Sequence, residues 1–490
     1  MARVLAIGLG PLLRPGVRHI GGQCLRTWHF VRPLLEAGHE VVLVASPVGD
    51  VPAAPADVIE ELEHEGFPYR SFLTKDLAAQ RDWLDALLAR ERFDALLAIN
   101  TYPAQLAATL ATRLPAWADL NGWVMAEAQG LAVREGGRED NLRWAWRQEK
   151  AAIWRADRIS TVSEAQRLAT FGELAALGRL GSAWSDPRMI AVIPNACAPL
   201  HIEIGARRLE TLAKTGRWPL APGESDNSET VWALWSGGFN VWTDADALIR
   251  ALGRAFAENS RLRLMVTGGA IEGYHSETYD TFRVWAERPD IAPRVRLLGW
   301  LPSEEMAAWH AAAHVGVNFD APSLEAVFGA RNRLTNMAAG ALPLVSSLGA
   351  EVAKDFQAAG VGWFFPPGDA DCFAEALLAA SRSDDLFAMG QRAREAALDL
   401  YRDSRTVAPL LEWLLDPQPA ADHAERQRRE PDPRAWQHLA LNDAQLRENL
   451  WLHEDAEHLR RDAGDLWRLR SKWLMRVWRG AKSLLGRRSS

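Results

Sequence analysis

Short apolar runs alternate with amphipathic stretches over the first 200 residues. Val4–Gly8, Glu40–Ala45, Ala95–Asn100, Ala116–Leu120, Arg158–Val162 and Met189–Ile193 are compact apolar or β-branched runs, and each predicts a strand. Between them the apolar spacing turns helical. Cys24–Ala37 carries Leu25, Phe30, Leu34 and Leu35, and Gly38 stops it. Leu106–Leu114 and the stretch holding Trp144, Trp146, Ile153 and Trp154 read the same way, and Ser163-Glu164 caps a further helix. Strands that alternate with helices predict a doubly wound parallel sheet.

The pattern breaks at Ala221–Glu229, which is polar and turn-rich, and then restarts. Val231–Trp235, Leu262–Val266, Val295–Leu298, Val315–Phe319, Leu342–Val345 and Gly362–Phe365 predict strands. Asp246–Phe256, Cys372–Ala380 and Leu386–Tyr401 predict helices. The expected architecture is therefore α/β, with two Rossmann-like domains at 1–221 and 230–415 facing across a cleft. Residues 416–435 are rich in Pro, Ala and charge and read as a flexible linker. Residues 436–490 read as a helical tail. Leu452, Leu459, Leu466 and Trp473 recur every seven residues, a spacing that suits self-association over 436–485.

A chain of 490 residues, 48% hydrophobic and 24% charged, is long enough for two or three domains and a large core. Global disorder and fibrous classes are excluded. The net charge of -7 does not suggest a nucleic-acid binder. Cys24, Cys197 and Cys372 lie far apart, form no CxxC, and point to a reducing compartment. The apolar Met1–Leu9 is too short for a secretory signal, and no run approaches the roughly 18 apolar residues of a membrane span.

In open α/β sheets, ligands bind beyond the carboxyl ends of strands, so candidate chemistry is sought there. Gly21-Gly22 precede a helix, where free N–H groups attract anions; the alternative is a plain turn. Gly237-Gly238 follow the first strand of the second domain, with Trp242 and Asp244 close behind; Gly268 ends the next strand. The GxGxxG fingerprint of a dinucleotide site is absent. Trp242 suits ligand stacking or interdomain packing equally.

Glu325, Arg331, Arg333 and Asn336 follow Val315–Phe319. The arginines suit a diphosphate and Glu325 a ribose or sugar hydroxyl. The alternative is a surface salt bridge between Glu325 and an arginine. Asp119, Asn121 and Glu127 follow the Ala116–Leu120 strand. Asp119 or Glu127 suits a base or a hold on a sugar hydroxyl, and helix capping by Asp119 or Asn121 is the alternative. His310 and His314 share an HxxxH spacing with no third ligand and no HExxH glutamate, so a plain helix face is the better reading. His19, near the glycine pair, is the one other histidine to watch, although a lone loop histidine is more often inert.

The chain resembles group 1, family 4 glycosyltransferases of the GT-B fold over about Arg3–Trp413. The resemblance rests on Gly21-Gly22, Gly38-His39-Glu40-Val41, Thr161-Val162-Ser163-Glu164, Ile193-Pro194-Asn195 and Ala339–Ser346. Trp235–Asp244 with Glu325…Arg331-Asn-Arg333 is similar to a bacterial surface-polysaccharide subgroup. The resemblance implies a nucleotide-diphosphate sugar as donor substrate on the second domain, no other cofactor and no metal. It implies a glycan or lipid-linked acceptor mainly on the first domain, and retention at the anomeric carbon. Gly237, Gly238 and Trp242 would line the donor loop. The turn Gly299–Pro302, with Trp300, would flank the base. Glu325 would sit at the sugar or ribose, and Arg331 and Arg333 at the diphosphate.

Three positions depart from the family pattern. The second glutamate of the usual pair is replaced by Arg333, the usual Arg…Lys pair by Phe239-Asn240-Val241, and a frequent histidine by Asn121. A non-catalytic subunit of the same shape is the rival reading, and a sugar-nucleotide epimerase ranks last. The tail qualifies the charge total. Residues 466–490 hold eight Lys/Arg, no acid, and Trp467, Trp473 and Trp478, which leaves -15 on the other residues. That composition suits an anionic membrane surface, and a solvated or coiled-coil helix almost equally; a cytoplasmic enzyme is expected, peripheral to the inner face of the plasma membrane on the first of these readings.

Overall fold

The computed structural model describes residues 1–12, 21–48, 57–134, 136–137, 139–182, 187–224, 230–271 and 276–429. Two sheets organise them. The first contains β1 (Arg3–Gly10), β2 (Glu40–Pro47), β3 (Ile59–His64), β4 (Phe67–Phe72), β5 (Ala95–Ile99), β6 (Ala116–Asp119), β7 (Arg158–Thr161) and β8 (Ile190–Val192). Its order is β3-β4-β2-β1-β5-β6-β7-β8. The second contains β9 (Val231–Ser236), β10 (Leu262–Thr267), β11 (Val295–Gly299), β12 (Val315–Asn318), β13 (Leu344–Ser347) and β14 (Gly362–Phe365). Its order is β11-β10-β9-β12-β13-β14. Every pairing is parallel except β3 with β4.

The central strands are buried but for Arg3 and Ser236 at their ends, as apolar runs covered by helices on both faces must be. Val4, Phe30, Leu97 and Trp117 pack on one face of the first sheet, and Leu5, Leu96, Leu106 and Ile153 on the other. The second sheet is covered likewise, by clusters around Phe239, Phe282 and Phe373 and around Leu334, Phe356 and Tyr401. The β3–β4 hairpin was not expected from the sequence. Ile59–His64 is an edge strand rich in glutamate, and Glu65 and Gly66, at φ 51° and 78°, make the turn. The helix expected at Leu106–Leu114 instead runs from Thr101 to Ala108.

After the second sheet the chain returns to the first. Val407, Leu410, Trp413 and Leu414 enter the core beside Phe30 and Trp117, and the Trp117 and Trp413 rings lie 5.5 Å apart. The expected linker is not loose over its described part, residues 416–429. Asp157, fully buried, draws in Arg426 at 2.6 Å, His423 at 3.0 Å and the amide of Ala420 at 3.0 Å. Arg179 grips both oxygens of Asp422 at 2.8 and 3.0 Å. A polar sequence here is docked because it brings counter-charges to a buried carboxylate. Residues 436–490, with the expected coiled coil and basic handle, lie outside the described residues.

Candidate active site

The turns after β9, β10 and β11 form one platform. The amide of Gly237 donates to the carbonyl of Thr267 (2.7 Å), and that of Gly268 to the carbonyl of Gly299 (2.8 Å). Gly268 is at φ 132°, and a Cβ there would fall 2.4 Å from the carbonyl oxygen of Gly237, so the backbones meet only because residue 268 lacks a side chain. Gly238 sits against Ile271. Trp300 donates to the carbonyl of Ala270 (2.8 Å) at the platform's edge.

Arg333, in the first turn of the helix Asn332–Ala339, lies on this platform. Its Nη2 donates to the carbonyl of Gly238 at 2.6 Å, and its guanidinium carbon is 4.3 Å from the centre of the Trp235 ring. Among the described residues no carboxylate pairs with it, and it is half-buried. Burial lowers its pKa to about 10, which leaves it cationic at neutral pH.

Arg331 behaves otherwise, although only Asn332 separates the two. It is 4% exposed and all three guanidinium nitrogens are engaged. Nε bonds both oxygens of Asp320 at 3.2 Å, Nη1 bonds Oε1 of Glu325 at 2.9 Å, and Nη2 bonds the carbonyl of Glu325 at 3.0 Å. Trp242 lies under the same guanidinium at 5.3 Å. The expectation that Arg331 holds a diphosphate is therefore corrected, since its donors are spent on fixing the loop after β12. The ion pair weighed as the alternative for Glu325 is present, but buried. Burial pushes the Glu325 carboxyl up to about 7; Arg331 opposes that shift, and the charges of Glu127 and Asp320 add to it.

Across the cleft, Asp119 also departs from expectation. It is fully buried and both oxygens accept from Arg26, at 3.0 and 2.7 Å, while Ser160 donates to it at 2.8 Å. It is neither a base nor a helix cap; it holds Arg26. Arg26 in turn donates to Asn195 Oδ1 at 2.7 Å, and Asn195 donates to Asn332 Oδ1 at 2.5 Å. A polar chain thus runs from the core of the first sheet to the helix that carries Arg333. Gly22 sits at its end, where a Cβ would lie 2.7 Å from Asn332 Nδ2. Gly21 caps the helix Gly22–Glu36 without a side-chain hydrogen bond.

Asn100 and Asn121, both at positive φ, end β5 and β6, and Asn121 Nδ2 donates to Asn100 Oδ1 at 2.6 Å. Sequence reasoning missed Arg26, Asn100, Asp320 and Asn332. A polar residue at a strand's carboxyl end was the available signal for Asn100 and Asp320.

Glu127 lies in the first turn of the helix Val124–Arg134. That helix runs along the second domain: Arg134 donates to the carbonyl of Thr243 at 3.2 Å, and the Trp123 and Phe328 rings meet edge to face at 4.7 Å. Glu127 and Glu325 are thereby brought close enough for their charges to interact.

Two further donor candidates have structural partners. Asp244 caps the helix Ala245–Glu258 through the amide of Ala247 (2.9 Å), and Asn336 accepts the amide of Ala198 (2.9 Å). His310 and His314 do not share a helix, because the helix ends at Ala312; both are buried, His310 on Thr267 and His314 on the amide of Trp232. His19 lies outside the described residues. Beyond Arg331, a cavity of about 220 Å³ lies between Ser163 and Asn195 on one side and Glu351, Asp355 and Tyr401 on the other.

Residues 21–196 match the glycosyl transferase 4-like domain, and residues 231–383 match the glycosyl transferases group 1 domain. The chain is a group 1 glycosyltransferase of the GT-B fold. Sucrose-phosphate synthase from Thermosynechococcus elongatus is similar in structure, with a TM-score of 0.60 at 16% identity over 85% of this chain and 100% of that one. HepE of Anabaena, solved with UDP and glucose, gives 0.58 at 14% over 85% and 100%. A UDP-forming α,α-trehalose-phosphate synthase from Burkholderia vietnamiensis gives 0.59 at 14% over 84% and 98%. No curated protein sequence matches the chain.

In this glycosyltransferase the boundary between the two matched domains falls in the segment before β9, and the charge of Glu127 in the first acts on Glu325 in the second. Among the described residues no three His, Cys, Asp or Glu side chains gather as for a metal, and no helix is long and apolar enough to cross a membrane.

Proposed function

We propose that this glycosyltransferase moves a sugar from a nucleotide-diphosphate donor to a glycan or lipid-linked acceptor in surface-polysaccharide synthesis, with retention and without a metal. The observation that carries this reading is Arg333, a cation with no carboxylate partner among the described residues, fixed on a glycine platform at the strand ends. As the glycosyl–phosphate bond breaks, charge builds on the departing diphosphate. Arg333 stabilises that charge, aided by the uncapped N-terminus at Gly21-Gly22. Glu127 and Glu325, of which Glu325 titrates near neutrality, hold sugar hydroxyls. Closure of the cleft limits hydrolysis.

HepE was solved with UDP and glucose, which makes UDP the first nucleotide to try. Thermal unfolding with UDP, GDP and dTDP tests the reading. At least one should raise Tm in the wild type and much less in Arg333→Ala. If none shifts the wild type, the donor assignment falls.

One observation favours a second reading, a binding subunit without transfer activity: Glu325 is tied to Arg331, and the position of the second family glutamate is Arg333. Nucleotide binding without release of UDP from a UDP-sugar would decide for it. The tail at 466–490 is proposed to hold the enzyme at an anionic membrane surface, and 436–485 to self-associate. Equal flotation on anionic liposomes with and without 466–490 would remove the membrane role.

A further inference from the structure

Behind the donor platform lies a second cluster of buried cationic and aromatic groups, unused by the transfer reaction. Arg208, on the helix Pro199–Thr215, is 1% exposed. Its Nη1 donates to the carbonyls of His310 and Ala311, at 3.3 and 3.0 Å, at the end of the helix Ser303–Ala312. Its guanidinium carbon is 4.6 Å from the Trp218 ring centre. Nε and Nη2 have no hydrogen-bond partner, and no carboxylate pairs with the group among the described residues.

Among the described residues no acid acts on Arg208. His201, 5.2 Å ring to ring from His310, has neither nitrogen bonded among the described residues. The His314 ring lies tilted against Trp218 at 4.8 Å and accepts from the amide of Trp232 at 3.1 Å. Burial holds all three histidines neutral, and Arg208 itself depresses His310 and His314. Glu224, which reaches Trp232, is shared with Arg296. Burial lowers the Arg208 pKa to about 9, so it stays charged at neutral pH.

A buried charge with no counter-ion, and two buried N–H groups with no acceptor, are each costly. Nε and Nη2 form the guanidinium edge that grips two oxygens of one carboxylate or phosphate. We propose that Arg208, with Trp218 beneath it and His201 and His310 beside it, binds a small oxyanion through its Nε–Nη2 edge. The site touches the donor platform, because His310 Nε2 meets Thr267 Oγ1 at 3.0 Å and Gly268 is the next residue.

The test is thermal unfolding of the full chain at constant ionic strength, with inorganic phosphate, acetate or chloride. It is done in the Arg333→Ala background so that the donor site does not respond. Phosphate or acetate should give a saturable rise in Tm of about 2–4 °C that chloride does not match. Adding Arg208→Met should abolish it. Arg208→Lys keeps the charge without the two-pronged edge; it should lose the preference for oxyanion over chloride, and it decides the matter if Arg208→Met does not fold. The absence of a saturable rise in Arg333→Ala, or an undiminished rise in Arg208→Met or Arg208→Lys, overturns the site.

Discussion

Arg26 and Asp119 form a two-pronged ion pair with no solvent exposure at either side chain, at 3.0 and 2.7 Å. Through Asn195 and Asn332 the pair supports the helix that carries Arg333. Removing one partner strands the other charge in the core. Asp119→Ala should cost about 3–5 kcal/mol of stability in denaturant unfolding. Wild-type stability in that variant would show that the pair does not act as a support.

Arg331 and Arg333 should fail in different ways. Arg333→Ala removes a charge-assisted contact worth about 1.5–3 kcal/mol, so nucleotide-diphosphate affinity should fall roughly 10- to 100-fold with little loss of stability. Arg331→Ala leaves Asp320 and Glu325 buried without their counter-charge and should cost about 3–5 kcal/mol of stability. Calorimetric binding and unfolding on both variants separate them. Equal affinity losses with intact stability would place both side chains on the ligand.

That contrast also marks what the sequence could carry. Strand–helix alternation located most of both sheets, because buried parallel strands are continuous apolar runs. The β3–β4 hairpin escaped, since Ile59–His64 is an exposed edge whose glutamates hide its alternation. The glycines marked the platform because close backbone approach excludes a Cβ at 268, the Ile271 side chain crowds one at 238, and Gly237 is at φ 93°. Arg331 and Arg333 looked alike in sequence. Their partners are set by the loop after β12, which turns Arg331 onto Asp320 and leaves Arg333 facing the platform. Asp119 stood at the right strand end, but its partner Arg26 lies 93 residues away and leaves no local signature.

A buried pair of acids should give the protein a pH-dependent stability. Among the described residues Glu149 has no partner for either oxygen, and Glu173 accepts one bond, from Trp123 at 2.8 Å. Burial pushes Glu173 up to about 7, and burial with the charge of Glu173 pushes Glu149 well up. A carboxyl whose folded pKa is raised binds more protons than in the unfolded chain. Stability therefore falls as pH rises from the ordinary carboxyl range through the raised pKa of Glu173, about 7. Glu173→Gln keeps an acceptor for Trp123 and removes the ionisation. It should flatten that slope and add on the order of 3 kcal/mol at pH 8. An unchanged slope would mean that Glu173 ionises normally in the fold.

The docked segment after the second sheet should matter as much as a core helix. Burial alone would push the Asp157 carboxyl up, but the hydrogen bond from His423 and the charges of Arg155 and Arg426 hold it well below the usual range. Two shortened chains compare the effect. One ends at residue 433 and keeps His423 and Arg426; the other ends at 417 and loses both, along with Asp422, the partner of Arg179. The chain ending at 417 should be less stable by about 3–5 kcal/mol, since Asp157 and Arg179 each lose a counter-charge. The sign with pH is fixed by the depressed pKa. The longer chain's advantage is complete above the ordinary carboxyl range and is lost as acidification protonates Asp157. Urea unfolding of both chains at neutral pH and near pH 3 measures this. Equal stability at neutral pH would mean that the docked segment contributes nothing to Asp157.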